Sequence, residues 1–144
     1  MRIRRYQDDD LGRVEALWRA CNLVAPYNDP GADIAFCQST GHGEVFVGED
    51  EFGEVMATVM VGHDGHRGWV YYLAVDPKHQ GRGLGVRMIR HAEAWLCALG
   101  VRKVQILIRE SNIGAAGFYD RLGYERSSVI VMQRWLLPPH SSEN

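Results

Sequence analysis

The sequence predicts an α/β (α+β) fold, a mixed central sheet of about six to seven strands flanked by about four helices, in the order β-α-α-β-β-β-α-β-α-β. Three observations carry this. Apolar residues recur with a helical period in the first part of the chain, and beyond "STGHG" the period changes from 3.6 to 2. The stretch "WVYYLAV" is then apolar at every position that could face either side, as a central strand covered on both sides must be. That strand feeds a glycine-rich turn, "HQGRGLG", which opens a helix.

The elements follow in order. "RIRRY" at 2–6 makes a short strand, and "DDDL" supplies caps and first-turn acids for a helix with Leu11, Val14, Leu17, Trp18 and Cys21 on its apolar side, ending near Asn22. "VAPYNDPGAD" holds two prolines and a glycine and is a loop; a second short helix begins around Ala32 and stops at "STGHG". "EVFVGED" and "GEVMATVMVG" are two strands joined by a turn at Glu51–Gly53, with Val55, Ala57, Val59 and Val61 on one face of the second. "HDGHRG" turns into the two-sided strand "WVYYLAV". Past the glycine turn, Leu84, Met88, Ile89, Ala92, Trp95, Leu96 and Leu99 keep helical spacing to Gly100, a natural residue for the position after a helix end. "VRKVQILI" is another two-sided strand, "NIGAAGFYDRLGY" a short helix capped by Asn112 and ended by Gly123, and "SSVIVMQRW" a closing strand.

A chain of 144 residues can bury roughly 68–70% of its unfolded surface in one core. Residues 1–137 read as one domain and 138–144 as a flexible tail. The apolar fraction of 46% and charged fraction of 24% are those of an ordinary globular protein, and no segment has the length of apolar sequence that spans a membrane. "MRIRRYQDDD" lacks the apolar core of a secretory signal, so the expected location is the cytoplasm with no membrane partner. A formal charge of −2 provides no basic face for nucleic acid. Cys21, Cys37 and Cys97 are far apart and form no CxxC pair, which speaks against a disulfide framework or a zinc site. His63 and His66 share a turn without a third ligand, so no metal is expected.

Three glycines in "QGRGLG" raise the question of phosphate. The Rossmann spacing fails because its third position falls on Val86, and the Walker pattern fails because Leu84-Gly85-Val86 is not Gly-Lys-Ser/Thr. What survives is physical. A strand leads into a glycine turn at a helix start, where unpaired N–H groups and the positive dipole end converge and an anion can approach the main chain. Lys78, His79, Arg82 and Arg87 surround it. A tight turn with surface cations fits these residues equally well.

Two segments together are more specific. Gln80-Gly81-Arg82-Gly83-Leu84-Gly85 matches the [RQ]-x-x-G-x-[GA] signature of the GNAT superfamily of N-acetyltransferases, and Asn112, Ala115, Tyr119 and Gly123-Tyr124 match its N-x-x-A-x-x-x-Y-x-x-x-G-[FY] pattern without a gap. The chain therefore resembles that superfamily from residue 2 to about 136. "PYNDP" with "GHDGHRG" is similar to a small bacterial branch of predicted acetyltransferases related to the ribosomal-protein alanine acetyltransferases.

The resemblance implies an acetyl-CoA-dependent N-acetyltransferase that transfers acetyl directly to an amine-bearing acceptor in a ternary complex. It implies acetyl-CoA as cosubstrate and no metal; small members of the superfamily often pair, so a homodimer is one of the open oligomeric states. Gln80, Gly81, Arg82, Gly83, Leu84 and Gly85 would grip the pyrophosphate. The main chain of Leu73, Ala74 and Val75 would pair with the pantetheine arm, and Asn112, Ala115 and Tyr119 would also meet the coenzyme. A fixed N–H near the acetyl carbonyl is worth roughly 2.7–4 kcal/mol where such donors have been removed from other enzymes. Tyr119 would be the general acid for the departing thiolate, since a thiol titrates near 8.5 and a tyrosine near 10.

The base is less defined. Deprotonating a lysine-type amine costs about 4.6 kcal/mol at pH 7 and an α-amine about 1.4, so an α-amine could manage with a water chain. Glu49, Asp64, His66, Tyr72 and Glu110 are the candidates for direct base work. In the resembled fold the acceptor pocket is walled by the first two helices and the turn between the third and fourth strands, which places Tyr27, Asn28 and Asp29 on one side and His63, Asp64, His66 and Arg67 on the other. Turn formation accounts for much of both sets. A transferase of a different acyl-CoA group and a non-catalytic acyl-CoA-binding module are the two other readings.

Overall fold

A computed structural model describes residues 1–139 of the chain. Strands β1 (Arg2–Arg5), β2 (Gly43–Glu49), β3 (Val55–His63), β4 (Gly68–Val75) and β5 (Val104–Ile106) form one sheet in that spatial order. The first four run antiparallel to their neighbours, and β5 lies parallel to β4 because a helical crossover joins them. Helices α1 (Leu11–Ala20) and α2 (Pro30–Ser39) cover one face; α3 (Leu84–Ala98) and α4 (Ile113–Arg121) cover the other. Alternation along β2 divides the core: Val45 and Val47 pack with Val14, Leu17, Trp18 and Ile34, while Phe46 packs with Met88, Ile89, Ala92 and Leu96.

Local chemistry sets the boundaries. Asp29 accepts a hydrogen bond from the Ala32 amide at 3.1 Å and Pro30 takes the first helical position, so α2 starts two residues before the expected Ala32. At the N-terminal edge, Arg4 reaches both carboxylate oxygens of Asp10 at 2.8 and 2.9 Å and Glu49 at 2.8 Å, tying β1 to β2 and to the 3-10 turn Asp8–Asp10. Val55 joins the α1 side of the core although Ala57, Val59 and Val61 join the α3 side. The expected common face for all four is corrected by a bulge: Gly48 pairs with Ala57 and Glu49 with Val55, which resets the alternation.

The sheet has five strands, fewer than the six to seven the sequence predicts. "VRKVQILI" contributes only Val104–Ile106, and "SSVIVMQRW" forms no strand with any of the described residues, its Val129, Ile130, Val131 and Met132 being exposed. An apolar run reports what a segment can bury, whereas a strand also needs a free edge alongside it. Of the expected tail at 138–144, residues 140–144 lie outside the described residues.

The site is built at a break in the sheet. Across β3 and β4 the register passes from Met60 opposite Tyr71 to Thr58 opposite Ala74, so Val59 alone faces Tyr72 and Leu73. This is a bulge, and Tyr72 occupies it at φ 52°, a left-handed conformation costly for a bulky residue. Three contacts hold it there. The Trp18 and Tyr72 rings stack at 3.8 Å and 6°. The buried Trp18 Nε1 donates to Thr58 Oγ1 at 2.8 Å, and Thr58 Oγ1 donates to the Tyr72 carbonyl at 2.9 Å. Replacing Thr58 by Val keeps the shape but strands a buried indole N–H, for an expected loss of about 1–3 kcal/mol. A thermal melt should fall by roughly 2–4 °C per kcal/mol for a chain of this size, and an unchanged melt would show that the relay contributes nothing.

Candidate active site

Beyond the bulge, β4 runs into a 3-10 turn at Pro77–His79 and then the glycine stretch. Gly81 and Gly83 stand at φ 79° and 77°, which L side chains rarely adopt, and an added Cβ would meet nothing within 4 Å. Both therefore present bare main chain to open space. Gly83 caps α3 with no side-chain hydrogen bond, so the amides of the first helical turn face outward unpaired. Gly85 is glycine for a different reason: a Cβ there would lie 3.4 Å from the Phe118 ring and 3.7 Å from Val75, so the helix start sits close against α4 and the strand end. Gln80 Nε2 and the Cys21 thiol both reach the Val75 carbonyl, at 3.1 and 3.3 Å, closing the end of β4. The Arg82 guanidinium lies 2.8 Å from His79 Nδ1.

These parts line one groove of about 1140 Å³, which runs from Leu23, Tyr71, Tyr72, Leu73 and Val75 past Gln80, Gly81, Gly83, Leu84 and Gly85 to Asn112, Ala115 and Tyr119. The groove thus gathers most of the residues expected at a coenzyme. Ala74 is buried on the α1 side and Arg82 is exposed beside the turn; neither lines the groove. Asn112 caps α4 through the Ala115 amide at 3.1 Å. Tyr119 is 7% exposed, its ring edge-on to Phe118 and Tyr124, and its hydroxyl is bonded to no described group. Burial pushes its phenol up to about 12.

The base candidates are scattered. Glu49 is paired with Arg4 at the far edge of the sheet. Asp64 and His66 lie exposed in the β3–β4 turn, where the Arg67 amide, the Trp69 indole and the His66 amide hold the Asp64 carboxyl down to about 2. Glu110 is exposed after β5 and lines neither the groove nor its side pocket. Tyr72 alone is at the site, but its hydroxyl donates to Asp33 Oδ2 at 2.7 Å, and burial together with that carboxylate raises its phenol well above the ordinary value.

A side pocket of about 440 Å³ joins the groove at Leu23, Tyr71 and Tyr72. Its other walls are Asn28, Asp33, Phe36, Cys37 and Met60. Asn28 belongs to the expected acceptor set and lies here, among the walls of this pocket. Tyr27 stands nearby as an exposed ring that accepts from Arg109 at 3.4 Å and packs edge-on to Trp135 at 5.6 Å. Asp29 is occupied as the α2 cap. Asp33, Leu23 and Arg109 are site residues that sequence reasoning misses. Asp33 and Tyr72 are 39 positions apart, and no local pattern links them.

Comparison with known proteins places these features in a family. Residues 12–124 match the model of the Acetyltransferase (GNAT) family. An acetyltransferase of Yersinia pestis (strain Pestoides F) is 39% identical over 138 residues, covering 95% of this chain and 96% of that protein. Among solved structures, a putative acetyltransferase from Agrobacterium tumefaciens str. C58 superposes with TM-score 0.77 at 20% identity, over 94% of this chain and 100% of that one. AAC(6')-Iy in complex with the bisubstrate analogue CoA-S-monomethyl-acetylneamine superposes with TM-score 0.78 at 16% identity, over 94% and 98%. These structural matches share the fold. The chain belongs to the GNAT family and is an acetyl-CoA-dependent acetyltransferase. No helix among the described residues is long and apolar enough to cross a membrane.

The glycine turn is directly testable. Gly83→Ala at φ 77° costs about 1–2 kcal/mol of backbone strain, which leaves the chain folded. It also puts a methyl group into the groove, and titration with acetyl-CoA should show a dissociation constant raised roughly tenfold or more. Unchanged binding would reduce the stretch to a turn.

Proposed function

We propose that this enzyme transfers acetyl from acetyl-CoA directly to a primary amine in a ternary complex, with Tyr119 as general acid. The observation that carries the reading is that a single groove is walled by the interrupted strand, the glycine turn and a buried tyrosine whose hydroxyl has no described partner. The bare main chain of Gly81 and Gly83 with the α3 amides forms an anion cradle for pyrophosphate, supported by Arg82 and His79 at its rim. The bulge at Tyr72–Leu73 leaves backbone groups outside the ladder, free to pair with the pantetheine arm and to polarise the acetyl carbonyl. Leu73 serves through its main chain, Val75 lines the groove with its carbonyl already taken by Gln80 and Cys21, and Asn112 and Ala115 hold the α4 end of the groove. No cysteine is needed as an acyl carrier; Cys21 is committed to the Val75 carbonyl, and burial raises its thiol.

The coenzyme supplies an activated acyl group with a thiolate leaving group. As the amine nitrogen bonds to the carbonyl carbon and the carbon–sulfur bond breaks, Tyr119 gives its hydroxyl proton to sulfur. The nitrogen loses its own proton to water in the open groove, since none of Glu49, Asp64 and Glu110 lines it. That water also restores the phenol.

Two measurements test the acid. Tyr119→Phe should lower thiol release by about 10²–10⁴-fold while the acetyl-CoA dissociation constant stays within about twofold; unchanged turnover overturns the assignment. With the phenol raised to about 12, the acid stays protonated well past the ordinary value near 10, and more free amine is present as pH rises. The rate should therefore climb or level off, and not fall, between pH 8 and pH 10. Binding of acetyl-CoA with no thiol release on any amine would instead support a binding module, and equal use of longer acyl groups would support a broader acyltransferase.

A further inference from the structure

We propose that Asp33 selects acceptors carrying a second cationic group, so that the substrate is a primary amine with another ammonium on an aliphatic stem. This rests on the acetyltransferase reading of the groove and extends it into the side pocket. The pocket opens into the groove where Leu23, Tyr71 and Tyr72 belong to both walls. Tyr72 spans the junction: its backbone forms the bulge, and the far end of its ring reaches Asp33 at 2.7 Å. An amine poised at the bulge therefore has a carboxylate one tyrosine side chain away.

The chemistry of the pocket fits a cation and little else. Asp33 is the only ionised group among its lining residues, and it forms no ion pair with any described residue. The Tyr72 hydroxyl satisfies one oxygen, leaving acceptor capacity on a carboxylate that can take several donors. Asp33 also lies in the first turn of α2. The neighbouring Cys37 thiol, pushed up to about 11 by burial, stays neutral and adds no competing charge. Leu23, Phe36 and Met60 provide the apolar wall that methylenes would cover. An anionic acceptor would meet a like charge here. Asp33 acts by positioning; it touches the distant end of the acceptor, while the proton moves at the bulge.

The test compares 1,4-diaminobutane with butylamine as acceptors at saturating acetyl-CoA. The wild-type kcat/KM should favour the diamine by roughly tenfold or more, the size expected of one charge-assisted hydrogen bond. In Asp33→Asn the ratio of the two should fall to near one, and Asp33→Glu should restore part of it. A wild-type ratio near one overturns the proposal. So does an Asp33→Asn protein in which both acceptors fall in step, the pattern of a structural or base role. Calorimetric titration of 1,4-diaminobutane into wild type and Asp33→Asn in the presence of coenzyme A separates the two readings. If no amine releases thiol, the catalytic reading fails, yet weaker diamine binding by the variant still supports the carboxylate site; equal binding overturns it.

Discussion

The stack of Trp18 on Tyr72, with Thr58 hydrogen-bonded to both, is the contact on which the site depends. A bulky residue at φ 52° in mid-strand is unfavourable alone and persists only where its surroundings over-determine it. Here a fully buried indole packs parallel to the ring and is itself anchored through Thr58 to the carbonyl of the strained residue. The strain is thus supported from α1 and β3 together, from outside the strand that carries it. The same contact interrupts the β3–β4 ladder and aims the Tyr72 ring at α2. One packing decision therefore opens the main chain on one side and places a carboxylate on the other.

The other half of the groove depends on β4 ending cleanly. The Val75 carbonyl is the last of the strand, and it is taken by Gln80 and Cys21, one from the turn and one from the end of α1. Asp76 then caps the 3-10 turn through Lys78 and pairs with Arg13 of α1 at 2.5 Å. The approach to the glycine turn is consequently tied to α1, while the Gly81 and Gly83 amides make no hydrogen bond to the described residues. Such pre-organisation matters for anion binding, because donors already fixed in place lose little freedom when the ligand arrives.

Legibility from sequence followed the range of each interaction. The glycine stretch, the Asn112 cap and the Tyr119 spacing are local patterns, and the structure brings them to one groove. Helices α1 and α3 were legible because a 3.6 period tracks burial, and α4 because Asn112 and Gly123 mark its ends. The bulge at Tyr72 was not, because its cause lies in Trp18 and Thr58, which read as ordinary members of a helix face and a strand. Asp33 escaped for the same reason: as one acid in the first turn of a short helix it looks like a dipole partner. The closing strand failed in the opposite direction, since "SSVIVMQRW" has strand composition, but its exposed Val129–Met132 run meets no sheet edge among the described residues.

Two tyrosines show how environment divides labour between identical side chains. Both phenols are raised by burial, so both are protonated at any working pH. Tyr72 has already committed its proton to Asp33, a partner that stabilises the neutral phenol and would be repelled by the phenolate. A base must accept a proton, and this hydroxyl is placed to keep one. Tyr119 has no described acceptor and lines the groove, which in the proposed reaction leaves its proton for the departing thiolate. The proposed roles, acid for one and scaffold for the other, rest on what each hydroxyl touches, and the proposal leaves the amine's proton to solvent.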